Sequence, residues 1–148
     1  MKSILHVHNK PLPPCLESGG SNRLIEWLAQ EQARRGHKVY IMSFSGHSTY
    51  RHIKISPEMT GPEILAIIPD DVTDIELHGG IPKLQADALA ENFKRFIQII
   101  HAGKGGGKNS VYVSRSHAQQ SGGKIYAHNG IPIDEYQFSD SKEAFLLF

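Results

Sequence analysis

The feature that most constrains the fold is a β-strand, α-helix, β-strand unit at the start of the chain. Residues 4–8 form a short run of strand-favouring side chains. A helical spacing of apolar residues follows, with Ser18 or Ser21 as its cap and Gly36 as its end. Residues 38–43 predict a second strand. Because such a crossover is almost always right-handed and joins parallel strands, the chain is predicted to be α/β, with a doubly wound, mostly parallel sheet.

The remaining sequence repeats this alternation less clearly. Further strands are predicted at residues 52–55, 74–78, 96–101, 111–114 and 125–128, with short helices at residues 63–68 and 85–92. The strand at 96–101 is predicted to be buried. A chain of 148 residues is enough for one domain that buries about two-thirds of its unfolded surface.

Composition excludes several classes of protein. The formal net charge is +1, which gives no electrostatic reason to expect a nucleic-acid partner. Cys15 is the only cysteine, so no internal disulfide can form, and a reducing cytoplasm is the expected location. The apolar run near the N-terminus is too short for a signal peptide, and no run approaches the roughly 20 apolar residues that span a bilayer.

The end of the chain suggests a domain boundary. Residues 1–138 are predicted to form the α/β domain, and residues 139–148 end in the apolar run Phe145-Leu146-Leu147-Phe148. This run is either a terminal edge strand of the same domain or the first strand of a second domain that is missing. An uncovered apolar edge strand invites aggregation, which favours the second interpretation.

Three places where chemistry can occur follow predicted strands. Gly19 and Gly20 precede the first helix, whose unpaired N–H groups could bind an anion; a plain strand-to-helix turn is the alternative. His101 and His78 each end a predicted strand, where they could hydrogen-bond a ligand or serve as structural histidines. Asn129 and the glycine after it predict a turn, which by itself indicates no function.

Other kinds of site are disfavoured. The histidines are not spaced like zinc ligands and one cysteine is available, so no metal is predicted. Ser114 and Ser116 lie beside His117, but the Gly-x-Ser-x-Gly pattern of a hydrolase nucleophile is absent.

Taken in order, these segments resemble the N-terminal domain of the GT-B retaining glycosyltransferases of family 4. Residues 18–39 resemble the family's Gly-Gly loop, first helix and Arg-Gly-His turn, and residues 74–78 resemble its strand that begins Asp-Ile and ends in histidine. The family's His-Gly, Val-Ser, Asn-Gly-Ile-Asp and Phe-Leu-Leu-Phe segments are matched, in that order, at His101, Ser114, Asn129 and residues 145–148. Pro132 stands where the family has aspartate.

The resemblance implies transfer of a sugar from a nucleotide-sugar donor to a glycan or lipid-linked acceptor, with retention at the anomeric carbon and without a metal or cofactor. It implies that His101 contacts the donor sugar near the reacting centre. Gly19, Gly20, His78, Ser114 and Asn129 are the implied donor-diphosphate and substrate-binding positions. A lipid-linked acceptor would bring such an enzyme to the inner face of the membrane.

The resemblance also implies that this chain alone is inactive. In the family, the groups that bind the nucleotide and its diphosphate belong to the second domain, and preorganised charge of this kind is usually the largest catalytic contribution. Two other functions stay open: a stand-alone, non-catalytic module that binds a sugar or phosphate, and an unrelated flavodoxin-like domain that binds a phosphate ligand at Gly19 and Gly20.

Overall fold

Six parallel strands form the centre of the molecule. The computed structural model describes residues 1–10, 20–46, 50–103, 106 and 109–130. The strands are β1 (Ser3–His8), β2 (Lys38–Ser43), β3 (Arg51–Lys54), β4 (Asp74–Leu77), β5 (Phe96–Ile100) and β6 (Ser110–Tyr112). The helices are α1 (Gly20–Arg34), α2 (Gly61–Ile67), α3 (Lys83–Asn92) and α4 (Arg115–Gln120). The strands lie in the order β3-β2-β1-β4-β5-β6, and every neighbouring pair is parallel.

Helices cover both faces of this sheet, because side chains alternate in direction along each strand. On one face, Leu5 and Tyr40 are fully buried in the larger core cluster, together with Ile64 of α2 and Leu89 of α3. On the opposite face, α1 packs through Ile25 and Ala29 against Val39 and Ile41, its contacts on β2. The predicted α/β fold with a doubly wound, parallel sheet is therefore confirmed.

Most predicted elements are present. The first helix runs to Arg34, and Gly36 follows it with a φ of 82°, as a helix-ending glycine should. Ser21 is wrong as a cap because it lies inside α1, while Ser18 lies outside the described residues. The helices α2 and α3 begin two residues earlier than predicted. None of the helices within the described residues is both long and apolar enough to cross a bilayer.

The clearest differences lie at the β5–β6 edge of the sheet. Residues 125–128 do not form a strand, because β6 is three residues long and the passing chain makes a single bridge, between Tyr112 and Tyr126. The strand β5 is less buried than its sequence suggests: Phe96 is buried, whereas Ile97 is 36% exposed. The helix α4 was not predicted, since it lacks apolar periodicity; Ser114 caps it by accepting a hydrogen bond from the backbone N–H of His117 (3.1 Å).

The predicted domain boundary at residue 138 falls outside the described residues, as do Pro132 and residues 145–148. Both interpretations of residues 145–148 therefore stay predictions.

A close contact between α2 and α3 provides a test of the packing. A Cβ atom on Gly61 would lie 2.7 Å from Cβ of Ala88, too close for either helix to keep its place. We expect Gly61→Ala to lower the free energy of unfolding by about 1–3 kcal/mol, the usual cost of overpacking. Urea unfolding measures this loss. Gly20→Ala is the matched control, because no atom of the described residues lies within 4 Å of a Cβ atom there. Equal losses in the two variants would contradict the packing described.

Candidate functional site

Three histidines gather where the strand order reverses. The chain runs from β1 to β2 on one side and continues at β4 on the other, so β1 and β4 flank a topological switch point. Ligands of open α/β sheets bind at the carboxyl ends of strands beside such a point. His8 ends β1, His78 directly follows β4, and His101 directly follows β5. The placement predicted for His78 and His101 is therefore correct.

His78 and His101 belong to a longer hydrogen-bonded chain beneath α1. Nδ1 of His78 lies 3.0 Å from Nε2 of His101, and Nε2 of His78 lies 3.0 Å from Nδ1 of His6. Nε2 of His6 lies 2.8 Å from Oε1 of Gln32. The hydrogen-bonded series ends at Glu76, whose Oε1 accepts a hydrogen bond from Nε2 of Gln32 (2.9 Å). It links β1, β4, α1 and the end of β5.

The alternation of the parallel sheet explains why these residues meet. His6 and Glu76 are register partners on β1 and β4, so their side chains leave the same face of the sheet. His78 lies two residues beyond Glu76 and leaves that face as well. This is the face on which α1 packs, and Gln32 lies in the last turns of that helix.

The imidazole rings lie edge to edge. The ring centres of His6 and His78 are 5.2 Å apart, and those of His78 and His101 are 5.3 Å apart, with both pairs of planes inclined by 21°. Given the 3.0 Å between their nitrogens, these separations are nearly the largest that the rings allow. The facing nitrogens therefore lie close to the lines between ring centres, which is the geometry of in-plane N–H···N hydrogen bonds.

Burial keeps these imidazoles neutral. His6 and His78 are buried, and burial lowers the pKa of each; for His78, repulsion from the neighbouring histidines adds to the effect. Burial also lowers the pKa of His101. At His8, burial and repulsion from His101 lower the pKa to about 4.

Among the described residues, His6, Glu76 and His78 come nearest to a metal-binding set, with one ligand atom from each within 4.8 Å of the others. The nitrogens that would bind the ion point directly at each other and share a hydrogen bond, rather than converging on a common apex. The geometry therefore favours a hydrogen-bonded network over a metal centre.

A pocket of about 390 Å³ opens beside this series of hydrogen-bonded side chains. Its walls are mostly apolar: Leu24, Trp27 and Leu28 from α1 face Ile99 of β5 and Val111 of β6. Small-molecule sites commonly combine such a lining with a few polar groups. Here His78, His101 and Asn129 are among the polar groups.

The structure thus brings together three of the predicted site residues, His78, His101 and Asn129, and leaves Gly20 and Ser114 apart from them. Gly20 is exposed at the start of α1, and Ser114 is occupied in capping α4; neither lines the pocket. Gly19 lies outside the described residues.

Sequence reasoning missed Gln32, Glu76 and the role of His6. Gln32 follows an ordinary helical pattern, so nothing in the sequence distinguishes it. His6 and His8 did carry a signal, because they are polar residues two apart in an otherwise apolar strand and must therefore leave the same face. The strand order then decides that Glu76 lies opposite His6, and this order is not contained in any local pattern.

No protein-family model and no curated protein matches this chain. Among solved structures, the chain is similar to AviGT4, a glycosyltransferase involved in avilamycin A biosynthesis, with a TM-score of 0.63 and 17% sequence identity. The match covers 93% of this chain and 44% of AviGT4. The chain therefore has a Rossmann-like fold that also occurs in a glycosyltransferase, and it spans less than half of that protein's length.

Proposed function

We propose that this chain is the N-terminal, acceptor-side domain of a retaining, GT-B glycosyltransferase. The observation that carries the proposal is the pocket at the carboxyl ends of the strands, where His78 and His101 lie beside the switch point of the sheet. The fold shared with AviGT4 and the order of the sequence motifs support it. The reaction proposed is transfer from a nucleotide-sugar donor to a glycan or lipid-linked acceptor, without a metal, in the cytoplasm or at the inner face of the membrane.

In this proposal His101 contacts the donor sugar, and the start of α1 lies near the donor diphosphate. The helix α1 has 15 residues and carries no acidic side chain in its first turn, so its N-terminal N–H groups and partial positive charge are not opposed there. Gly19 and Gly20 would let the diphosphate approach the backbone. His78 and Asn129, which line the pocket, are the further substrate-binding positions of the proposal. Ser114, the remaining position that the sequence motifs indicate, caps α4 and lies outside the pocket lining.

A second domain completes the proposed site. The match to AviGT4 leaves more than half of that glycosyltransferase uncovered, which is room for a whole further domain. The positive charge that stabilises a departing diphosphate would come from that domain, so we propose that residues 1–148 alone do not turn over a donor.

A panel of nucleotide sugars tests this proposal. Calorimetry and a nucleotide-release assay would compare the 148-residue chain with the product of the full reading frame that encodes it. We expect weak or absent nucleotide binding by the chain, and sugar transfer by a longer product with a second α/β domain. A reading frame that stops at Phe148, or tight nucleotide binding by the chain alone, would contradict it.

The alternative is a stand-alone, non-catalytic module that binds a sugar or phosphate. It is favoured by one observation, namely that residues of this chain alone form the pocket. Calorimetry with short glycans and inorganic phosphate separates the two functions, because the module should bind one of them without any partner domain.

A further inference from the structure

The side chains of Gln32 and Glu76 end the histidine chain on the side away from the pocket. We propose that they are positioning residues that fix the tautomers of His6, His78 and His101, so that all the hydrogen bonds between these rings are donated in the same direction. In this direction Nδ1 of His101 is kept as a hydrogen-bond acceptor. The assignment rests on hydrogen-bond chemistry alone; its use for a ligand hydroxyl rests on the proposed function.

The direction is set at Glu76. A carboxylate accepts hydrogen bonds and donates none, so the amide NH₂ of Gln32 must face Oε1 of Glu76 (2.9 Å). The carbonyl Oε1 of Gln32 then faces Nε2 of His6 at 2.8 Å, and this nitrogen must carry the hydrogen. Turning the amide of Gln32 over would place its carbonyl oxygen against the carboxylate, with no hydrogen between them.

The direction passes from ring to ring because a neutral imidazole has one donor and one acceptor nitrogen. Nδ1 of His6 is therefore an acceptor, and it receives the hydrogen on Nε2 of His78 (3.0 Å). Nδ1 of His78 in turn receives the hydrogen on Nε2 of His101 (3.0 Å). All three rings carry their hydrogen on Nε2. Burial lowers the pKa of each ring, which keeps the three imidazoles neutral near pH 7.

This leaves Nδ1 of His101 as the one ring nitrogen of the three histidines without a hydrogen-bond partner among the described residues. Nδ1 of His101 is buried and has no hydrogen-bond partner among the described residues, and His101 lines the pocket. A buried acceptor without a partner is costly, so the atom fits a ligand group that donates a hydrogen bond. The hydroxyl of a sugar or of its acceptor is such a group. Without Gln32 and Glu76, the same nitrogen could carry the hydrogen and would repel that hydroxyl proton.

The tautomers can be measured directly by ¹⁵N NMR of histidine rings in the full 148-residue chain. We expect His6, His78 and His101 of the wild-type chain to carry hydrogen on Nε2. In Glu76→Gln, which keeps the side-chain shape, the amide of Gln32 is free to turn over, and a form of His101 with hydrogen on Nδ1 should appear. Gln32→Leu should favour the same form, because Nδ1 of His6 then donates to Oε2 of Glu76, 3.5 Å away.

Glu91→Gln is the matched control. It makes the same chemical change on an exposed position of α3, which packs on the other face of the sheet, and it should leave the ring spectra unchanged. Hydrogen on Nδ1 of His101 in the wild-type chain would overturn the proposal, and so would a folded Glu76→Gln chain with wild-type tautomers. Where a variant does not fold, the wild-type spectrum still tests the direction of the hydrogen bonds. Because this experiment measures no activity, failure of the longer product to transfer a sugar would refute the proposed function and leave the positioning role standing.

Discussion

Acidification from about pH 7 to about pH 4 should destabilise this chain by several kcal/mol, because buried histidines stay neutral in the folded state. The magnitude of this loss can be calculated for His8. Its pKa is lowered from 6.5 to about 4, mainly by burial and also by the neighbouring charge of His101. At about 1.4 kcal/mol per pKa unit, His8 alone contributes about 3 kcal/mol to this loss.

The sign follows from proton uptake. Below pH 6.5 the imidazole of His8 binds a proton in the unfolded chain, whereas in the folded chain it does so only near pH 4. The unfolded state therefore binds more protons throughout this window, and the free energy of unfolding falls as the pH falls. The pKa values of His6 and His78 are also lowered by burial, so they add to the loss in the same direction. The carboxyls of Glu31 and Asp71, with pKa values of about 2, act at lower pH.

Urea unfolding at a series of pH values between about 7.5 and 4.5 measures the effect. His8→Asn removes the titration and keeps an acceptor for the backbone N–H of Lys10, which donates to Nδ1 of His8 (3.1 Å). This variant should lose less stability than the wild-type chain over the window. His128→Asn, which removes an exposed imidazole, is the control. A wild-type stability that is flat down to about pH 5 would show that the buried histidines do not titrate as described.

The fold could be predicted from the sequence because local pattern and tertiary packing agree over most of the chain. Residues 38–43 are a run of strand-favouring side chains and form a strand that is buried from Val39 onward. The helical spacing before Gly36 corresponds to the face of α1 that packs on Val39 and Ile41. Local pattern and packing disagree at residues 125–128. Their side chains favour a strand, but the neighbouring edge strand β6 is only three residues long and forms a single bridge with them. Strand formation needs a partner as well as a pattern, and the sequence does not show how long that partner is.

The candidate site was predicted only in part, for a related reason. His78 and His101 could be placed because the carboxyl end of a predicted strand is a local property. Gln32 and Glu76 could not, since their function depends on which strand lies next to β1 and where α1 crosses it. Ser114 shows the converse: it matches a family motif, yet its side chain caps α4.

Replacing His101 should reduce sugar transfer much more than it reduces stability. In the proposed longer protein with a second domain, we expect His101→Ala to lower kcat/KM by about 10²-fold or more, as for the loss of a group that acts at the reacting centre. Its structural cost is limited, since His101 is half-buried and makes one hydrogen bond within the described part of the chain, to Nδ1 of His78. Leaving that buried nitrogen without a partner costs about 1–3 kcal/mol.

A second substitution separates the two effects. In His101→Gln the amide nitrogen can reach the place of Nε2 and donate to Nδ1 of His78, so stability should return while transfer stays low. His37→Ala is the control, because His37 lies between α1 and β2 at the amino end of the sheet, where it accepts a hydrogen bond from the backbone of Lys2 (3.2 Å). Initial rates and melting temperatures of the three variants provide the comparison. A lowered melting temperature with unchanged turnover in His101→Ala would show that His101 is a structural residue. It would contradict the proposal that His101 contacts the donor sugar in the pocket.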